Sequence, residues 1–138
     1  MENLNRELQK LSYLKQNIHE LRKLYDQLKN AETKKILKEI IKISDKIYKE
    51  VVVNTDKLYK VERFINYYLV TIQKIVEKYI KLSVNNIRNI QNEAFFVKIE
   101  EFLKNVVTSF EELYQSLFND EIIDLDAEMQ VMENEMKI

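Results

Sequence analysis

The chain, 138 residues long, contains no glycine, no proline and no cysteine. Average usage would supply roughly 10 Gly and about 7 Pro at this length, so each absence excludes something. Glycine gives the positive-φ conformations of tight hairpins, strand bulges and phosphate-cradling loops. A sheet protein or a nucleotide-binding α/β fold without it would be strained at every such turn. Helices need neither residue: an interior Gly costs ~1 kcal/mol and an interior Pro ~3 kcal/mol relative to Ala. Lacking cysteine, the chain has no disulfide framework, thiolate zinc site or thiol nucleophile. No signal-peptide pattern opens it, and both features suit a reducing cytoplasm. The longest purely aliphatic run is Val51-Val52-Val53, far short of the ~20 residues of a membrane-spanning helix, so no transmembrane segment is expected. A net charge of -1 argues against bulk nucleic-acid binding.

What is present is 46% hydrophobic and 33% charged, enough for an ordinary core in one domain. The expected fold is all-α: a bundle of three to four long amphipathic helices plus a short C-terminal one, spanning 1–138 as a single helical domain. If it divides, the cut falls near residue 54, between an N-terminal hairpin or coiled coil (1–53) and a helical region (54–138). The first helix is coiled-coil-like, with Leu4, Leu11, Ile18 and Tyr25 interleaved by Leu14, Leu21 and Leu28 as a heptad seam. The seam fails where Glu32 and Lys35 take the next positions, which predicts a break near Asn30. A second stripe, Ile36, Ile40, Ile43 and Ile47, ends near residue 52, with Thr55 or Asp56 as the next N-cap. The third reads Val61, Ile65, Tyr68, Ile72, Val76, Tyr79 and Leu82, and stops at Ser83-Val84-Asn85-Asn86. A fourth helix has two apolar rows, Ile99, Phe102, Val106, Leu113, Leu117 and Phe96, Leu103, Val107, Phe110, Tyr114, expected to be buried against more than one neighbour. It ends at Asn119-Asp120, and a short last helix capped by Asp124 or Asp126 carries Met129, Val131 and Met132.

Charge is unevenly spread. Eight lysines and five acids occupy 31–60, whereas seven acids and Lys137 alone occupy 119–138. Lysine far outnumbers arginine and Ile and Asn abound, a composition suggestive of an AT-rich bacterial genome. His19 is the only histidine and falls on the solvent side of the seam, which excludes the paired Glu-x-x-His of di-metal bundles. No cofactor is expected. Asp120, Asp124 and Asp126 are the only metal candidates, and Asp124, Asp126 and Glu128 the only catalytic ones; Mg²⁺ would enter only if they served phosphate hydrolysis. Acids opening a helix are better explained by its orphan N–H groups and macrodipole. The lysine flank Lys34, Lys38, Lys42, Lys46 and Lys49 is diluted by Glu39, Asp45 and Glu50 and lacks interleaved stacking aromatics. Tyr67, Tyr68 and Arg63 share adjacent faces, and core or rim packing is the default for them, with an aromatic-lined groove as the alternative.

At Arg63-Phe64-Ile65-Asn66-Tyr67-Tyr68-Leu69, through Lys74 and Glu77-Lys78-Tyr79 to Leu82, the chain resembles the XpaC-like family, named for 5-bromo-4-chloroindolyl phosphate hydrolysis. Phe110, Leu113 and Leu117-Phe118, followed by Asp124-Leu125-Asp126-Ala127-Glu128 and Met132, are similar to that family's ending, so the resemblance covers about residues 56–133. It implies a bacterial, cytoplasmic helical protein associated with toxic-anion-resistance proteins, and it supplies no catalytic residue. The first expectation is a helical interaction or scaffold protein that pairs with itself or a partner through Leu4, Leu11, Leu14, Ile18, Leu21 and Leu28. The alternatives are a weak metal-dependent phosphohydrolase of aryl or indolyl phosphates, and a peripheral membrane-surface protein docking by its lysine flank.

Overall fold

The computed structural model describes residues 1–137, all of them in helices or short connections, without a strand among the described residues. Helix α1 (Glu2–Gln27) turns at Leu28-Lys29-Asn30 into α2 (Ala31–Val53). Asn30 caps α2 as its type suggests: its side-chain oxygen accepts from the Thr33 N–H at 3.0 Å. The short connection sets α1 and α2 antiparallel, with Arg22 of one paired to Asp45 of the other. A 3₁₀ segment (Thr55–Val61) and a π turn (Phe64–Tyr68) lead into α3 (Leu69–Val84).

α3 ends without glycine. Ile87 N–H donates to the Leu82 carbonyl and Asn86 N–H to that of Ser83, while Asn86 itself takes φ 54°, the left-handed position glycine usually fills. Asn tolerates it best of the residues with a Cβ. Asn89 and Asn92 then bond each other's backbone N–H reciprocally, and the Arg88 guanidinium clamps Glu93 and Glu100 at 2.6 and 2.7 Å. That side-chain framework launches α4 (Glu93–Ser116). The last helix, α5, runs Asn119–Met136.

α1 packs on α2 and α3, and α2 packs on α4. Phe64 meets Phe110 edge-on at 4.9 Å and Tyr79 meets Phe96 at 6.0 Å, so α4 descends antiparallel to α3. The result is an up-down-up-down bundle with one buried apolar cluster running from Leu14 to Leu117. α5 contributes no buried residue.

Three expectations need correction. The third helix is not a continuous α-helix from Val61: the π turn inserts a residue, closed by Leu69 N–H bonding the Phe64 carbonyl. That shift rotates Leu69 into the core, fully buried, and turns Tyr68 outward. The fourth helix buries Phe96, Leu103, Val107 and Phe110, but in its other row only Leu117, at the C-cap, is buried: Phe102 stays exposed and Ile99, Val106 and Leu113 half-buried, because no helix covers that stretch. Finally, α4 ends at Ser116 and α5 begins at Asn119, so Asp124 and Asp126 lie inside α5 rather than capping it.

Candidate functional site

The π turn builds the first candidate. Widening the turn re-aims its carbonyls, and buried Asn17 of α1 donates from Nδ2 to the Ile65 carbonyl at 3.2 Å. Gln73 donates in turn to the Asn17 carbonyl and side-chain oxygen at 3.3 and 3.2 Å. With the turn so fixed, Tyr67, Tyr68 and Ile72 form one wall of a groove of about 490 Å³. Phe102, Val106 and Leu113, from the uncovered row of α4, form the other, and the Thr71 and Ser109 hydroxyls are the small polar groups within it. Tyr67 and Tyr68 meet edge-on at 5.7 Å. The Arg63 guanidinium lies 4.7 Å from the Tyr67 ring centroid and 5.8 Å from that of Tyr68, a cation–π arrangement at the mouth of an apolar slot. Arg63 is exposed and pairs with no carboxylate among the described residues. The sequence brings out Arg63, Tyr67 and Tyr68, whereas the apolar spacing of the facing wall reads as core.

The second feature is the junction between α4 and α5. Lys57 is buried there, and its ammonium meets Glu121 at 2.6 Å, Glu50 at 2.8 Å and the Phe118 ring at 4.6 Å. Burial pushes the Lys57 ammonium down, but the hydrogen bonds to Glu121 and Glu50 outweigh it and hold the group above its ordinary value. The hydrogen bond from Lys57 holds the Glu121 carboxyl below the usual glutamate range. Asp120 adds a contact to Lys60 at 3.4 Å. The first acids of the C-terminal stretch thus anchor α5, and they do so at lysines outside the flank Lys34–Lys49. A lysine seventh-residue spaced from Glu50 gives little sequence signal of such a role.

Asp124, Asp126 and Glu128 are exposed on α5, and none lines the groove. Among the described residues, no group of three or more His, Asp or Glu side chains is placed to hold a metal ion. His19 is exposed, as its place beside the seam implies.

The heptad seam of α1 is divided. Leu14, Ile18, Leu21 and Leu28 are between 0% and 4% exposed, packed into the chain's own core, and Leu11 is half-buried. Leu4 alone of the six is exposed, joined by Leu8. A partner helix could reach the buried four only by displacing α2 or α3. On α5 the situation is reversed. Ile122, Leu125, Met129, Met132 and Met136 repeat at intervals of three and four, and they are 49% to 61% exposed.

Fold and sites define an all-helical protein with an aromatic groove along one side and an acidic helix projecting from one end. Residues 4–132 match the family of 5-bromo-4-chloroindolyl phosphate hydrolysis proteins, and the chain belongs to that family. The match takes in α1 and α2 as well as the segments from residue 56 onwards that carry the resemblance in sequence. No curated protein and no solved structure matches the chain. No helix among the described residues is long and apolar enough to cross a membrane.

Proposed function

We propose that this protein works by binding another protein, as a helical interaction or scaffold module. One observation carries the reading: α5, 18 residues long, has no buried residue although its apolar side chains are in coiled-coil register. A lone helix of that length is marginal in water, and five apolar side chains in a row facing solvent oppose solubility unless something covers them. The surface for binding is therefore α5, with the Leu4–Leu8 turn of α1 as a smaller neighbour, rather than the whole α1 seam. A photo-crosslinking residue at Met129 should give one discrete adduct in the producing cells, lost on Leu125→Asp, while the same residue at exposed Lys38 gives none. Absence of an adduct, or a smear indifferent to Leu125→Asp, would end this reading. A toxic-anion-resistance protein is the first partner to try.

A second reading has its own support. The groove pairs an aromatic-lined slot with the Arg63 cation, the two halves of an aryl phosphate, and the family's description names hydrolysis of such an ester. Under this reading the ring lies between Tyr68 and Phe102 and the phosphate meets Arg63. Purified protein should then show saturable tyrosine quenching by indolyl phosphate, weakened about tenfold or more by Arg63→Ala, since a charge-assisted bond is worth ~1.5–3 kcal/mol. Turnover surviving Asp124→Asn with Asp126→Asn, with or without Mg²⁺, would remove those carboxylates from any hydrolysis. No quenching at all would remove the groove. Peripheral attachment to anionic membrane through the flank Lys34, Lys38, Lys42, Lys46 and Lys49 ranks behind both.

A further inference from the structure

Resting on the interaction reading, we infer that the partner of α5 is a basic amphipathic helix from a different protein, and that α5 is built to reject a second copy of itself. With Ile122, Met129 and Met136 at heptad position a and Leu125 and Met132 at d, the flanking positions follow by register. Position g holds Glu121, Glu128 and Glu135; position e holds Asp126 and Glu133. Every flanking position is acidic, and Asn119–Met136 contains no lysine or arginine. In a parallel pair of α5 helices g faces e, and in an antiparallel pair g faces g and e faces e. Glu121 is held by Lys57, but from Asp126 onward both orientations set unpaired carboxylates against one another, so self-pairing is opposed in either sense.

Three other exposed surfaces of a second copy fit it poorly. No lysine or arginine lines the groove between α3 and α4, where Arg63 at the mouth is one cation against the five flanking acids of α5. The exposed lysines Lys35, Lys38, Lys42, Lys46 and Lys49 of α2 have no exposed apolar row beside them beyond Val52 and Val53 at its end, because Ile36, Ile40, Ile43 and Ile47 are buried. The exposed Leu4 and Leu8 of α1 are flanked by Glu2 and Glu7 as well as Arg6 and Lys10. An anionic membrane surface would repel the helix. What fits is a helix with apolar a and d positions and Lys or Arg at e and g. Such a partner would also relieve the last turn of α5, where Glu133 and Glu135 sit unfavourably at the negative end of the helix dipole with only the C-cap residue Lys137 beside them.

The probe is a labelled three-heptad peptide with Leu at a and d and Lys at e and g, titrated into the full chain beside the same peptide carrying Glu at e and g. The lysine peptide should bind at least about tenfold tighter, its affinity should fall as salt is raised, and α5 amides should gain hydrogen-exchange protection on binding. Met129→Asp should abolish binding without moving the thermal transition of the bundle. Asp126→Lys, Glu128→Lys and Glu133→Lys together should invert the preference towards the glutamate peptide. Equal binding of the two peptides, or lysine-peptide binding indifferent to Met129→Asp, overturns the proposal. So does concentration-dependent dimerisation through α5 in sedimentation. If the lysine peptide fails while the Met129 crosslink persists, the partner chemistry is wrong and the interaction reading stands; if both fail, both fall.

Discussion

Two helices of this chain carry apolar residues at the same three-and-four spacing, and they meet opposite fates. In α1, Leu14, Ile18 and Leu21 disappear beneath α2 and α3; in α5, Leu125, Met129 and Met132 face water. Periodicity announces a stripe that must be covered without saying by what. The residues beside the stripe are more informative. Around the buried part of α1 stand Asn17, a polar strut to the π turn, and Arg22, paired to Asp45 of the same chain. Around the α5 stripe stand acids that, from Asp126 onward, form no ion pair among the described residues. Internal partners mark a seam closed by the fold, and unmatched charges of one sign mark one left open.

Charge insertion tests the contrast most severely. Leu21→Asp should cost more than about 4 kcal/mol, because a carboxylate is driven into a fully buried apolar site, whereas Met129→Asp should stay within about 0.5 kcal/mol. Urea melts of the two variants suffice, and equal costs would mean that α5 is packed after all. Next comes Asn17→Ala, which removes the side-chain donor to the Ile65 carbonyl and one of the two acceptors of the Gln73 amide; a loss of about 1–3 kcal/mol is expected, together with changed Tyr67 and Tyr68 ring resonances as the π turn relaxes.

A smaller effect lies at the anchor of α5. Glu121 is held below its ordinary value, so its contribution is complete above that value and is lost as pH falls through the depressed one. Lys57 is held above its ordinary value, so its share is complete below that value and is lost as pH rises through the raised one. Lowering the pH from about 7 to about 3 should therefore move the methyl resonances of Ile122 and Ile123 towards frayed-helix positions while those of Ile40 and Ile47 hold. The least effect belongs to Leu4→Asp, within about 0.5 kcal/mol, which would show that the exposed start of α1 behaves like α5 and unlike the rest of its own helix.

Much of the architecture was legible because the chain has few ways to turn. Asn30 and the Ser83–Asn86 corner end helices where capping chemistry says they should, and the fully helical fold follows from the missing Gly and Pro. The π turn was not legible. Tyr68 and Leu69 are both apolar neighbours, and a spacing rule cannot choose between them until the extra residue of the turn is known. The same ambiguity hid the groove: Phe102 and Val106 look like core residues, and only the absence of a covering helix makes them a wall. The start of α5 is hidden in the sequence because Asp124 is a good cap, whereas Asn119 follows directly on a turn at Leu117-Phe118 that no side-chain cap marks. Its register needed only counting from Ile122 to Met136, and the acids beside it then say more than the stripe itself.

The composition of α5 also decides how the protein meets proteases. Between Lys104 and Lys137 the chain has no lysine or arginine, so trypsin leaves the distal part of α4 and the projecting helix in one piece however freely that helix frays. A glutamate-directed protease instead finds Glu128, Glu133 and Glu135 on an unshielded, weakly held segment. Cleavage there trims the arm and spares the bundle, so the protein can be stripped of its reach while its fold survives.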